Sequence, residues 1–265
     1  MYSSRPGVET AYDVVLLDLD GTLYRGDAAV PEAPAAVARI RARGIRPVFV
    51  TNNSSRTQSA VAAHLSGIGI PAAPEEVETS AIVTAERLVQ QGSRTAFVIG
   101  EDGLLEALRN AGVVVAGPDA PRADAVVVGF DRFLDYPKLR QACLLVQRGA
   151  ELIATNADVS FPAADGLWPG AGALLAAVEA TTGRTAEVMG KPAAPLLQAA
   201  LERGGGGTAL VVGDRLDTDI AGAARLGWDS LLVLTGVTAE ADLRADGPRP
   251  TFVAQDMRDL FREPA

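Results

Sequence analysis

Four short polar stretches carry the side chains able to do chemistry. They are Asp18-Leu19-Asp20-Gly21-Thr22, Thr51-Asn52-Asn53-Ser54-Ser55, Gly190-Lys191-Pro192 and Gly213-Asp214-Arg215-Leu216-Asp217-Thr218-Asp219. Asp18 and Asp20 are two apart, so in extended backbone their side chains project to the same side. With Asp214 nearby, three carboxylates converge. Two unit charges about 4 Å apart repel by roughly 4 kcal/mol at an effective dielectric near 20. Such a cluster needs a cation, a shared proton or both. An oxygen-only ligand set suits Mg²⁺, which takes few carboxylates and keeps several waters. One cysteine and one histidine leave nothing resembling a zinc site. Taken singly, each stretch has a plainer reading as a turn, a helix cap or a solvated lysine. All four together, in this order and each after an apolar run, point to chemistry.

The elements that must position them are short buried strands alternating with helices. Residues 12–18 (YDVVLLD) form a nearly continuous apolar run, which reads as a strand buried on both faces. Residues 31–43 read as a helix stopped by Gly44, 46–51 as a second strand, and 54–65 as a second helix. Further strands are expected at 95–99, 123–128, 152–154, 186–189, 209–212 and 230–234, with a weak last one at 252–253. Helices are expected at 80–91, 103–110, 136–148, 171–181, 194–203 and 220–226. This alternation implies a parallel sheet covered on both faces. Ligands in such a sheet sit beyond the carboxyl ends of the strands, and the four polar stretches each follow a strand. The glycine run 204–207 reads as a turn, since nothing after it follows a phosphate-loop pattern.

Composition narrows the class. The chain has 265 residues, 48% hydrophobic and 22% charged, which is ordinary for a globular protein of one to two domains. The balance of 33 acidic against 24 basic residues gives a net charge of −9. That disfavours nucleic-acid or anionic-membrane partners, which need clustered positive charge. The lone Cys143 fits a reducing compartment, and with no apolar run of roughly 18 residues and no apolar leader core in residues 1–12 the expectation is a cytoplasmic protein. Only two of the 24 basic residues are lysines, Lys138 and Lys191. In so Arg-rich a chain, a lysine inside a polar motif suggests that a compact ammonium is required there. His64 reads as a surface or half-buried residue of the second helix, and Trp168 and Trp228 read as packing residues.

The four stretches resemble the motif set of the haloacid dehalogenase (HAD) superfamily: Asp-x-Asp-x-Thr, a Thr or Ser after the second strand, a distant Lys, and an acidic Gly-Asp motif. The finer resemblance is to its NagD-like, p-nitrophenylphosphatase-like members, which include phosphoglycolate and glycerol-phosphate phosphatases. Leu17 to Tyr24, Thr51 to Ser54, Gly190 to Pro192, Gly213 to Asp219, and the stretch from Ala154-Thr155-Asn156-Ala157-Asp158 to Pro169-Gly170-Ala171-Gly172 carry it. The resemblance implies an α/β fold, a Rossmann-like doubly wound parallel sheet core over 1–79 plus 186–265, with an inserted α/β cap domain over 80–185.

It also implies a Mg²⁺-dependent phosphatase acting on a small phosphorylated metabolite. Asp18 is the implied nucleophile, forming an aspartyl-phosphate, and Asp20 the acid and base. Thr51, Asn52, Asn53 and Lys191 are implied for phosphate binding. The Asp18 carboxylate, the Asp20 main-chain carbonyl and Asp214 are implied as metal ligands, and Asp219 as a partner that fixes metal waters or Lys191. The polar, Pro-punctuated stretch 155–168 is expected to be a binding loop, with Asn156, Asp158 and Phe161 contacting the leaving group. A homodimer through the cap is the family-level expectation. Other readings of the same residues are a receiver-type switch holding a stable phosphoaspartate, a non-catalytic phospho-ligand binder, and a phosphomutase or phosphonate hydrolase. The insertion between the second motif and the lysine speaks against the last.

Overall fold

The computed structural model describes residues 12–163, 165–243 and 247–261. The stretch 1–11, which holds most of the segment read above as lacking a leader core, and Ala164 of the expected binding loop lie outside the described residues. The chain divides into two compact units. One comprises 1–51, 58–78 and 191–265, the other 52–57 and 79–190.

The first unit is built on a six-stranded sheet. Its order is Phe252–Ala254, Asp229–Val233, Ala209–Gly213, Val14–Asp18, Arg46–Thr51, Val77–Thr79. Every pairing from Phe252–Ala254 across to Arg46–Thr51 is parallel. Val14, Val15, Leu16 and Leu17 are all fully buried. Burial on both faces is why this strand reads as an unbroken apolar run rather than an alternating one. The helices Ala33–Ala42 and Gln58–Gly67 cover one face, burying Val37, Ile40, Val61 and Leu65 against Val15, Leu17 and Phe49. The helix Ala194–Arg203 packs on the first two strands, and Ala221–Leu226 on Asp229–Val233. Strand order runs outward in opposite directions from the boundary between Val14–Asp18 and Ala209–Gly213. That boundary is the switch point at which an open α/β sheet leaves a crevice at its carboxyl edge.

The second unit has its own parallel sheet of five strands. Its order is Glu187–Val188, Glu151–Ala154, Ala125–Val128, Thr95–Ile99, Val114–Val115. The helices Tyr136–Gln147 and Ala171–Thr182 close one face, with Cys143, Leu145, Leu175 and Val178 packed on Phe97, Val126, Val128 and Leu152. Caps set their starts where the sequence supplies an oxygen. Asp135 accepts from the Lys138 N–H at 2.8 Å, and Thr79 from the Ile82 N–H at 3.2 Å at the head of Ser80–Gln90.

Several expectations differ from what the structure shows. The strand expected at 186–189 does not join the main sheet. It shortens to Glu187–Val188 and pairs with Ile153 and Ala154 of the second sheet. The second helix begins at Gln58, not at 54, because residues 52–57 are held to the second unit by specific bonds. Ser80 Oγ donates to the Asn52 carbonyl at 2.7 Å, and the Gly103 N–H donates to the Ser55 carbonyl at 3.0 Å. The second unit takes in 52–57, 79 and 186–190 in addition to 80–185. Within 155–168 the chain forms a hairpin, Ser160–Ala163 against Gly166–Pro169, with Phe161 opposite Trp168. Trp168 is 43% exposed rather than packed away, and its indole N–H donates to Asp165 at 2.7 Å.

Candidate active site

Register assembles the acidic residues. Leu17 pairs with Val212, and Asp18 with Val50. Asp18 and Asp214 therefore come off the ends of adjacent strands, with Thr51 one residue past Asp18's partner on the other side. Thr51 is buried there at 4% exposure. One carboxylate oxygen each from Asp18, Asp214 and Asp219 lies within 4.8 Å of the others. Lys191 Nζ donates to Asp18 Oδ1 and to Asp219 Oδ1, both at 2.6 Å. Thr22 Oγ1 donates to the other Asp18 oxygen at 3.3 Å.

Two glycines make room for Asp214. Gly21 has φ +83°, and a Cβ there would lie 2.5 Å from Asp214 Oδ2; at Gly236 it would lie 1.8 Å away. The Val237 N–H donates to that same Oδ2 at 2.6 Å. Asp214 Oδ1 is buried and has no hydrogen-bond partner. Asp219 sits in the single wide turn Leu216–Ile220, where the Arg215 N–H donates to its second oxygen at 3.2 Å.

Two buried carboxylates, Asp214 and Asp219, and the half-buried Asp18 face one ammonium, and the imbalance perturbs Asp18, Asp214 and Lys191. Burial pushes Asp18 well above the usual carboxylate range, with repulsion from Asp219 and Asp214 adding to it and Lys191 opposing. Burial, then Asp219, pushes Asp214 up to about 6. Burial alone would lower Lys191, but Asp18 and Asp219 outweigh it and hold the ammonium charged above its ordinary value. An all-oxygen set with one partnerless buried carboxylate oxygen and a net negative charge fits a hard divalent cation such as Mg²⁺ or Ca²⁺. Asp18 and Asp214 would hold it, while Asp219 is committed to Lys191.

The acidic trio differs from the expected Asp18, Asp20, Asp214. The Asp20 side chain stands outside the cluster, exposed, and accepts from Tyr24 Oη at 3.2 Å. The chain turns just after the strand: the N–H groups of Thr22, Leu23 and Tyr24 all point to the Leu19 carbonyl. Thr22 and Tyr24 were missed as site residues. The motif itself flags Thr22, while only the folded turn brings Tyr24 to Asp20. The backbone of Gly236 and Val237 was also missed, and no residue type or spacing marks it.

The remaining expected residues belong to the second unit. Asn52 Nδ2 donates to Asp158 Oδ2 at 3.0 Å, and Asn156 Nδ2 to the Asn52 carbonyl at 2.8 Å. Asn53 Oδ1 accepts from Ser55 N–H and Oγ at 2.9 and 2.7 Å, an Asx turn. Phe161 packs edge-on to Phe130, ring centroids 5.2 Å apart, and against Trp168 at 6.2 Å. Asn156 and Asp158 thus direct polar atoms at Asn52.

Residues 15–114 match the family model of haloacid dehalogenase-like hydrolases, and 188–260 match a second HAD-hydrolase-like model. The chain is 38% identical over 251 residues to the 5'-nucleotidase YutF of Bacillus subtilis, covering 94% of this chain and 97% of that protein. It superposes with a TM-score of 0.91 on the glycerol phosphate phosphatase Rv1692 of Mycobacterium tuberculosis in complex with magnesium, at 37% identity over 98% of this chain and 79% of that one. A calcium complex of that protein is also known. NagD of Escherichia coli K-12 superposes with a TM-score of 0.87, at 31% identity over 94% of this chain and 98% of its own.

Proposed function

The chain belongs to the haloacid dehalogenase-like hydrolases and is a phosphoric monoester hydrolase, and we propose that it cleaves small phosphate esters through Asp18. The observation that carries the mechanism is the Asp18–Asp214–Asp219 cluster with Lys191 at the switch point of the main sheet.

One Asp18 carboxylate oxygen attacks phosphorus, and the bond from phosphorus to the ester oxygen breaks. Asp20 gives its proton to the departing alkoxide. A water then loses a proton to Asp20 and attacks the aspartyl-phosphate, releasing inorganic phosphate and restoring both carboxyl groups. Tyr24 Oη holds the Asp20 carboxyl meanwhile. Lys191 balances charge beside Asp18, kept in place by Asp219. The Thr51 hydroxyl and the N–H groups of Asn52 and Asn53 donate to phosphate oxygens. Asp18, Asp214 and the Asp20 main-chain carbonyl would hold Mg²⁺, which would supply the positive charge that lets one anion approach another.

Specificity is assigned to the inserted cap, with Phe161 of its hairpin as the candidate residue for leaving-group selection. Relatives named as a 5'-nucleotidase, a D-glycerol 3-phosphate phosphatase and an acid sugar phosphatase support a nucleoside monophosphate, glycerol phosphate or a sugar phosphate as the ester, and the motif resemblance adds phosphoglycolate. The same reading places the enzyme in the cytoplasm as a homodimer. Among the described residues no helix is long and apolar enough to cross a membrane. The receiver-type switch loses its ground, because a stable phosphoaspartate needs no acid–base partner such as Asp20.

Phosphate release from a panel of these esters, with p-nitrophenyl phosphate as control, tests the proposal. Turnover in Mg²⁺ and none in excess EDTA is expected; equal rates in both would overturn the metal's role.

A further inference from the structure

The segment that follows Thr51 is held by side chains far along the chain, and they converge on one residue. The Asn52 carbonyl accepts twice, from Ser80 Oγ at 2.7 Å and Asn156 Nδ2 at 2.8 Å. Its side-chain amide donates to Asp158 Oδ2 at 3.0 Å. The other end of that amide, Oδ1, lies against Gly190, where a Cβ would be only 2.6 Å away. Asn156 is buried, and its own Oδ1 accepts from the Asp158 N–H at 3.1 Å, so the two anchors fix each other. Thr155 Oγ1 donates to Ser54 Oγ at 3.1 Å just beyond.

Asn52 is bonded to Thr51, and Gly190 to Lys191. Asn52 and Gly190 are thus the second-unit residues joined directly to Thr51 and Lys191, and the Asn52 amide lies against Gly190. We propose that Asp158 and Asn156 are positioning residues: they clamp Asn52 against Gly190, and so set the spacing of the Thr51–Asn53 segment from Lys191 for binding a phosphate dianion. This rests on the assignment of Thr51, Asn52 and Lys191 to phosphate binding, and it replaces leaving-group contact as the role of Asn156 and Asp158. The chemistry is ordinary. A carboxylate acceptor holds an amide in one rotamer more firmly than a neutral one, and a pre-set donor segment loses less freedom when the anion arrives.

The test is a double-mutant cycle read out as the inhibition constant of inorganic phosphate, with kcat measured alongside. Asp158→Ala and Asn52→Ala are each expected to weaken phosphate about tenfold. Because they remove the same contact, the double variant should be no weaker than either single within about threefold. Asp158→Asn keeps an acceptor for the Asn52 amide and should recover most of the affinity. Gly190→Ala, which fills the space beside Asn52 Oδ1, should reproduce the loss without touching Asp158. It keeps the proposal testable where Asp158→Ala does not fold. Multiplied effects near a hundredfold, or unchanged phosphate affinity in Asp158→Ala or Gly190→Ala, would overturn the clamp. A wild-type enzyme with turnover but no inhibition by phosphate at any attainable concentration would instead overturn the phosphate-binding assignment, and the clamp with it.

Discussion

The carboxyl edge of the main sheet and the Asn156–Pro169 stretch of the inserted unit are both polar, yet they are built on opposite plans. At the sheet edge, backbone register delivers the side chains, and like charges are forced together in burial. In the inserted stretch, Asn156 and Asp158 satisfy one another and Asn52, while the following hairpin leaves Leu167 and Trp168 at 74% and 43% exposure. The first region stores electrostatic tension; the second spends its polar atoms on position. A reaction centre needs the tension, and a recognition surface needs only to hold its shape.

Four substitutions or conditions can break that contrast. Asp18→Asn removes the nucleophile and one charge of the strained cluster. Turnover should fall at least about 10³-fold while the thermal midpoint is kept or raised, since a buried repulsion is relieved. Retained activity would break the assignment of chemistry to this edge. Gly236→Ala places a methyl group where Asp214 Oδ2 stands. A drop of about 10²-fold in kcat is expected, with weaker Mg²⁺ dependence, measured by titrating the metal against initial rate. Phe161→Ala acts in the other region. It should change KM among esters by roughly three- to tenfold and reorder their ranking, with the inhibition constant of inorganic phosphate unaltered. An equal loss on every ester would assign Phe161 to the reaction centre instead.

The smallest effect comes from pH. Folding raises Asp214 from its ordinary 3.8 to about 6 without metal. Between those values the folded chain keeps a proton that the unfolded chain has lost, so this group's contribution to stability falls as pH rises through that window. A cation must displace the same proton. The rise in thermal midpoint on adding Mg²⁺ should therefore be a few degrees greater at pH 7.5 than at pH 5. Equal rises would place the metal elsewhere.

The sequence marks the first region far better than the second, for physical reasons. Strands buried on both faces leave unbroken apolar runs, so Arg46–Thr51 and Thr95–Ile99 are legible to the residue. Asp18, Thr51, Lys191 and Asp214 are marked by type and by their place after such runs. Asp219, rather than Asp20, completes the acidic trio because a turn at Leu19 diverts Asp20 and a wide helical turn carries Asp219 inward. No local spacing encodes that exchange. The edge strand Glu187–Val188 has two residues, too few to say which sheet it will join. The hairpin from Ser160 to Pro169 carries proline and glycine, which read as loop until cross-strand pairing is seen. Residues 52–57 look like the head of a helix, but Asn52, Ser54 and the Ser55 carbonyl bond to partners more than twenty residues away.

The pairing of Val14–Asp18 with Ala209–Gly213 also has a consequence in time. Asp13 and Thr208, at the foot of those strands, bond to each other across 195 residues of chain. Closing so long a loop is entropically costly and slow compared with the near-neighbour pairings of the second sheet. A ribosome delivering the amino end first releases Asp18 long before its neighbouring strand exists. All of the inserted unit emerges in between, able to collapse on its own sheet. The acidic cluster then forms only once Ala209–Gly213 and the acidic stretch after it have arrived. A nascent chain truncated before Ala209 would carry the nucleophile and the lysine yet lack Asp214 and Asp219, and would be inert towards phosphate esters until that acidic stretch is made.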